Sequence, residues 1–283
     1  MKTKKVNFKE FIDSIHIKIY QTKAIETIEN FIKENNLKKY YNKNKHNDYK
    51  KAIVKLDNTI LFSYYYQTFK DYFIEDFIII EAHGLKRYSI EDKIKSKYFT
   101  QLLQELTKAK EQYHLQRLDY SIDINQEAEN IFLYKEAKGS NYNPLANFDF
   151  KDEENGNYRL EVDNENYNSN RNDRATIYDK QLKEDLEDTT TRVEISLLPN
   201  TFRKLRKKDD AINYLSYLKD EINKYKIYYF EDTKLRNDCI EFYDSENYSV
   251  KSRTLKKLEK HHLKHSSKID LDFNSLEKFF CNF

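Results

Sequence analysis

The chain has 283 residues, room for one or two domains of roughly 150 residues and for a sizeable core. Its 50 Lys+Arg and 48 Asp+Glu leave a net charge of +2, which argues against a histone-like polycation and makes local basic patches the test of nucleic-acid binding. Gly84, Gly139 and Gly156 lie too far apart for a P-loop or a dinucleotide-binding fingerprint, and Cys239 and Cys281 are too few for a disulfide framework or a Cys-rich zinc site.

Met1 to Lys5 leads into mixed polar sequence rather than an apolar run, so no secretory leader is expected. The longest apolar stretch, Phe77-Ile78-Ile79-Ile80, is too short to span a bilayer. The expectation is a soluble, cytoplasmic protein without membrane association. The 24 Tyr, with much Lys, Asn and Ile, are what AT-rich coding DNA produces, so a single tyrosine or basic segment carries little alone.

Within 11–20, Ile15, Ile17 and Ile19 alternate as in a strand. Segments 52–56 and 59–65 read as a hairpin across Asp57-Asn58, and 76–81 as a buried strand. Tyr98, Phe99, Leu102, Leu103, Leu106, Ala109 and Tyr113 fall at helical spacing, which predicts an amphipathic helix packed on a sheet.

From 115 to 124, Leu118, Tyr120, Ile122 and Ile124 face one way and Arg117, Asp119, Ser121 and Asp123 the other. Segments 158–163 and 174–180 predict two strands joined by the Asn-rich turn 164–173, with Thr176, Tyr178 and Lys180 on one face of the second. In 191–197, Val193, Ile195 and Leu197 point inward, and Arg192, Glu194 and Ser196 share the other face. Helix is expected over 211–224, and 251–268 carries seven Lys/Arg and three His against one Glu. The fold class expected is α+β, a central antiparallel sheet with helices on one side. The domains expected are 1–205, the sheet domain, and 206–283, a helical, basic C-terminal region.

Asp119 and Asp123 lie about 13 Å apart along one strand and cannot share an ion, whereas Asp119 and Glu194 can if their strands are neighbours. Two carboxylates suit Mg²⁺ or Mn²⁺. A hard divalent ion beside a tyrosine points to phosphodiester transesterification, with Lys180 steadying the developing charge. Arg-x-acid strands are also the pattern of a solvated sheet face with cross-strand ion pairs.

Arg117-Leu118-Asp119 with Asp123, Tyr178-Asp179-Lys180 with Glu184, and Arg192-Val193-Glu194 together resemble R-x-D-x-x-x-D … Y-D-K-x-x-E … R-x-E. That ordered set is the pattern of rolling-circle replication initiators, the trans-acting plasmid type and similar nicking proteins of filamentous phages. The opening segment 12–17 resembles their first strand, and the likeness covers roughly residues 11–200.

The resemblance implies a Mg²⁺- or Mn²⁺-dependent nicking-joining enzyme. It would cut one strand of origin DNA (duplex or hairpin), stay attached through a 5′-phosphotyrosine, recruit a host helicase and rejoin the ends; a homodimer is compatible with this. The family's nucleophile precedes the Y-D-K strand in a Y-x-G-S-R-like segment. Tyr167-Asn168-Ser169-Asn170-Arg171 resembles it without the Gly, making Tyr167 the first choice, Tyr178 the second and Tyr158 a remote third. Asp119 and Glu194 would hold the ion, with Lys180 and Arg192 as electrostatic helpers. The chain lacks the His-hydrophobic-His pair of the better-known metal-dependent nickases.

Glu81-Ala82-His83 places two ligand types on one strand face, although a histidine at a strand end is ordinarily structural. His261, His262 and His265 sit in the basic tail as a solvated or phosphate-contacting stretch. Arg171, Arg174, Arg203, Lys204, Arg206 and Lys207 are the candidate DNA contacts, expected to weaken with salt. Tyr64, Tyr65 and Tyr66 suit either core packing or stacking on unpaired bases. The competing readings are a conjugative or transposon relaxase with the same chemistry, and a DNA-binding replication factor without catalysis.

Overall fold

The computed structural model describes residues 6–20, 23–42, 51–67, 77–86, 88–135, 148–150, 159–162, 173–184, 186–206, 214–244 and 263–280. In chain order the elements are β1 (Phe8–Ile19), α1 (Ala24–Glu34), β2 (Lys38–Asn42), β3 (Lys51–Leu56), β4 (Thr59–Gln67), β5 (Phe77–His83), α2 (Ile90–Lys108) and β6 (Tyr113–Ile124). There follow β7 (Ile131–Lys135), β8 (Phe148–Phe150), β9 (Arg159–Val162), β10 (Arg174–Asp179), α3 (Lys180–Glu184), β11 (Thr191–Leu197) and α4 (Pro199–Arg206). The last are α5 (Tyr214–Asn223), β12 (Tyr225–Phe230), α6 (Thr233–Asp244), β13 (Ser266–Ile269) and α7 (Asn274–Phe280).

This is the expected α+β class. The chain forms two compact units: an N-terminal unit of Phe11–Asp119 with Ser275–Phe283, and a C-terminal unit of Met1–Glu10 with Tyr120–Asn274. The long strands β1 and β6 each contribute residues to both.

In the N-terminal unit the strand order is β2-β3-β4-β5-β1-β6, with antiparallel pairing from β2 through β1. The hairpin turn falls at Asp57-Asn58 as expected, with Asp57 at φ 50°, a left-handed conformation that Asp tolerates. Ala52, Val54, Phe62, Ile78, Ile80, Ile15 and Ile17 form one buried sheet face. On that side α1 buries Ile28, Phe31 and Ile32, and α2 buries Phe99, Leu102, Leu103 and Leu106. The Phe31 ring lies 6.4 Å from Phe62, and α7 stacks Phe279 on Phe99 at 6.5 Å.

Helix α2 starts before the first residue of the apolar stripe because Ser89 and Asp92 form a capping box. Ser89 Oγ accepts from Asp92 N at 3.0 Å, and Asp92 Oδ2 accepts from Ser89 N at 3.2 Å. It ends at Lys108, followed by Lys110 in the left-handed region (φ 59°), so Tyr113 opens β6 instead of closing the helix. Ser89→Ala should cost about 1 kcal/mol, read as a lower urea midpoint. An unchanged midpoint would mean that the cap contributes nothing.

In the C-terminal unit one sheet runs β6-β11-β10-β9-β8 and a second runs β13-β12-β7. β12 and β13 add strand to a region expected to be helical. Tyr225, Ile227 and Tyr229 are buried and alternate with half-buried Lys226 and Tyr228, and Tyr228 stacks on Tyr134 of β7. β10 ends at Asp179, one residue early, so Lys180 begins α3. There Lys180 N and Gln181 N both donate to Thr190 O, and Asp179 Oδ1 accepts from Leu182 N at 3.0 Å. Among the described residues, no helix is long and apolar enough to cross a membrane.

Candidate functional site

The sheet face of the N-terminal unit opposite α1 and α2 gathers polar side chains at its centre. Ser14 and His16 share one parity of β1, and Glu81 and His83 one parity of β5. Antiparallel register sets Ser14 opposite His83 and His16 opposite Glu81. Ser14 Oγ and His83 Nδ1 are 2.9 Å apart, the two imidazoles meet edge to face at 5.1 Å, and His16 Nδ1 lies 3.8 Å from Glu81 Oε1. Glu81 Oε2 accepts from Lys51 Nζ on β3 and, at 3.2 Å, from Ser63 Oγ on β4. On β6, Arg117 Nε donates to both oxygens of buried Asp119, at 2.8 and 2.9 Å.

Burial pushes the His16 imidazole down to about 4, helped by His83 and Arg117 and opposed by Glu81 and Asp119. Burial also lowers His83. For Glu81 burial acts upward but is outweighed by the Lys51 hydrogen bond and the charges of His16 and Lys51, so this carboxylate sits below its ordinary value. Both imidazoles are thus neutral at pH 7 and keep a lone pair. The Nε2 of His16 is buried without a hydrogen-bond partner among the described residues.

The unfolded chain takes up a proton at His16 near pH 6.5 and the folded one only near 4, so stability falls as pH drops through that window. In the metal-free protein, an NMR titration should place the His16 midpoint near 4. A midpoint at or above 6.5 would contradict the burial.

A second polar cluster lies in the C-terminal unit. Asp123 of β6 accepts from Arg192 Nε at 2.6 Å, Arg192 Nη2 at 3.0 Å and Lys180 Nζ at 2.8 Å. Arg192 is 2% exposed and Lys180 4%, so this face of β11 is no solvated ion-pair surface. Glu184 Oε2, 3.5 Å from Lys180 Nζ, offsets part of the excess positive charge. Asp119 and Asp123 thus serve different cations, in keeping with their separation along β6.

Of the other predicted residues, Glu194 is half-buried on β11, opposite Thr176 of β10. Tyr178 is half-buried on β10, opposite Arg192, with Lys183 Nζ 4.3 Å from its ring centroid. Arg174 is half-buried at the start of β10, and Arg203 is exposed on α4. The start of α4 is held by Asp173, which accepts from Leu198 N at 2.8 Å and Thr201 Oγ1 at 2.5 Å. Lys204 and Arg206 belong to α4, but their side chains lie outside the described residues, as do Tyr158, Tyr167, Arg171, Lys207, His261 and His262. Tyr64 packs in the core with its hydroxyl on Glu29, whereas Tyr66 is exposed.

No family model and no curated protein matches the sequence. A solved structure described as a rolling circle replication initiator protein from Geobacillus stearothermophilus is 13% identical, with a TM-score of 0.44 over 90% of this chain and 97% of that chain. A likeness of that degree assigns nothing to this chain.

Among the described residues, no three His, Cys, Asp or Glu side chains stand ready as a ligand cage. The donors in the N-terminal unit nevertheless suit a divalent ion: a carboxylate, neutral imidazoles, and an imidazole nitrogen with no partner. His16 is the residue that reading the sequence missed. Its signal was its parity with Ser14 on an otherwise Ile-rich strand, but a lone histidine names no partner.

Proposed function

We propose that the chain is a DNA nicking-joining enzyme of the replication-initiator kind, acting on the origin of its own replicon. One observation carries the reading. The face of the N-terminal unit opposite α1 and α2 concentrates Ser14, His16, Glu81 and His83 at the centre of a sheet whose other face is apolar at its centre. The ordered motifs Arg117-x-Asp119, Tyr178-Asp179-Lys180 and Arg192-x-Glu194 support it independently.

In this proposal Asp119 and Nε2 of His16, the latter in place of the Glu194 expected from the sequence, would hold Mg²⁺ or Mn²⁺. When bound, the ion supplies a Lewis acid for a phosphate oxygen. Tyr167 supplies the nucleophile. Its phenolic oxygen bonds to phosphorus, the P–O3′ bond breaks, and the proton lost by the phenol is the one gained by the released 3′-hydroxyl. One phosphodiester replaces another, so the same tyrosine can hand the strand back. Lys180 and Arg192, expected from the sequence as electrostatic helpers, are both engaged on Asp123 and act instead by positioning α3 and β11. Arg203 and its neighbours on α4 contribute phosphate contacts.

The test is covalent capture on supercoiled DNA of the replicon with Mn²⁺, followed by peptide mapping. Wild type should carry the DNA on Tyr167, and Tyr167→Phe should lose the adduct while Tyr178→Phe keeps it. The reverse pattern would move the nucleophile to Tyr178. The absence of any adduct would remove the catalytic reading.

One observation favours a second reading, a DNA-binding replication factor without catalysis. Arg117 already neutralises both oxygens of Asp119 without an ion. Such a protein would bind the same DNA equally well with and without EDTA.

A further inference from the structure

The face of the N-terminal unit opposite α1 and α2 continues from His16 to β2, the edge strand among the described residues. Register carries one row of side chains across it: His16, Glu81, Ser63, Ile53 and Tyr40 are successive cross-strand neighbours and point the same way. The row crosses four strand spacings, about 19 Å at ~4.8 Å each. It ends on a tyrosine that is 49% exposed, with Lys55 Nζ 5.4 Å from its ring centroid.

Among the described residues of β1 to β5 in this unit, the face carries Lys18, Lys38, Lys51 and Lys55 against the single acid Glu81, which Lys51 already neutralises. Neighbouring Tyr41 makes the opposite choice. It is 56% exposed but lies on the other parity, beside Lys39, whose ammonium is held by Glu29 of α1 at 2.6 Å. Among the described residues of β2 and β3, cations without a carboxylate partner therefore stand beside an exposed ring only on the side opposite α1 and α2.

We propose that this face is a track for single-stranded DNA, with a base stacked on Tyr40 and phosphates met by Lys38, Lys55 and Lys18. A flat ring accepts any base, and lysines beside it meet the backbone at any sequence. The track leads a strand from the sheet edge toward the polar cluster at His16. It rests on the reading that this site acts on DNA, and it names where the unpaired strand runs.

The test measures fluorescence anisotropy of a labelled oligo(dT) of about 16 nucleotides in EDTA, so that binding is read without cleavage. Tyr40→Ala should weaken binding about tenfold or more, whereas Tyr40→Phe and Tyr41→Ala should bind like wild type. Lys55→Ala should reduce the slope of log K against log salt by about 0.7. Equal losses from Tyr40→Ala and Tyr41→Ala, or no loss from Tyr40→Ala, would overturn the track. So would a protein that ignores the oligonucleotide and instead pairs two copies through β2. Failure of the nicking reading is separate: the protein would form no adduct with Mn²⁺ while Tyr40-dependent binding persisted.

Discussion

Asp123→Asn is expected to destabilise the protein by roughly 3–5 kcal/mol, the usual cost of removing one partner from a buried ion pair. The wild-type carboxylate compensates two cations at once, Arg192 and Lys180, whose side chains are 2% and 5% exposed. The asparagine keeps one acceptor but removes the negative charge that both cations share, in a site that water hardly reaches and with Glu184 only at 3.5 Å from Lys180. Arg192→Leu should cost less, because Asp123 would still hold Lys180 at 2.8 Å and no cation would be left bare. Urea denaturation of the two variants reads the difference directly. A larger loss from Arg192→Leu would mean that packing of the guanidinium, rather than its charge, holds β6 to β11.

The pH dependence of the Asp123 contribution has a definite sign. Burial alone would raise this carboxyl, but hydrogen bonds and charge from Arg192 and then Lys180 outweigh it and hold the group below its ordinary value. The folded state therefore binds the proton less readily than the unfolded chain. Its stabilisation is complete above the unfolded value, near pH 4, and is lost as pH falls through the depressed folded value. The gap in stability between wild type and Asp123→Asn should accordingly narrow as pH falls through the depressed folded value.

Asp119→Asn is expected to reduce strand cleavage by about 10²–10³-fold, the scale of losing one preorganised electrostatic group, while leaving DNA binding in place. The carboxylate is buried and fixed by Arg117, and under the proposed function it would hold the ion together with His16. The substitution keeps the size of the side chain and an acceptor for Arg117, whose side chain is 27% exposed and can meet water, so the loss in stability should be smaller than for Asp123→Asn. Mn²⁺ affinity, measured by isothermal titration without DNA, should fall in the same variant. A purely structural role would lower the urea midpoint and leave Mn²⁺ affinity unchanged.

Much of the sheet was legible where period-two patterning was clean. The hairpin at Asp57-Asn58, the buried run from Phe77 and the alternation of β6 and β11 each carry their own signal in a few residues. β2 and β12 were not read. Lys38-Lys39-Tyr40-Tyr41-Asn42 does not alternate in polarity, as suits an edge strand, and Tyr228 places an aromatic on the face where β12 should turn polar. The start of α2 was missed because its signal is the Ser89-x-x-Asp92 cap, which precedes the apolar stripe.

The site divides along the same line. Arg117, Asp119, Asp123, Arg192 and Lys180 share a recognisable local spacing, so the sequence marks them as polar faces of particular strands. The pairing of Asp123 with Arg192 and Lys180, and of His16 with Glu81, depends on strand register between distant segments. Nothing in a local pattern encodes that register.

If the polar cluster around His16 and Asp119 supports metal-dependent nicking, cleavage must depend on both the ion and Asp119. A gel assay on supercoiled DNA of the protein's own replicon, with Mn²⁺ or EDTA, tests it most directly. Wild type should give open circles with Mn²⁺ only, and Asp119→Asn should lose about 10²-fold or more. Supercoiled DNA that is bound yet stays intact with Mn²⁺, or nicking that survives in both EDTA and Asp119→Asn, would contradict it.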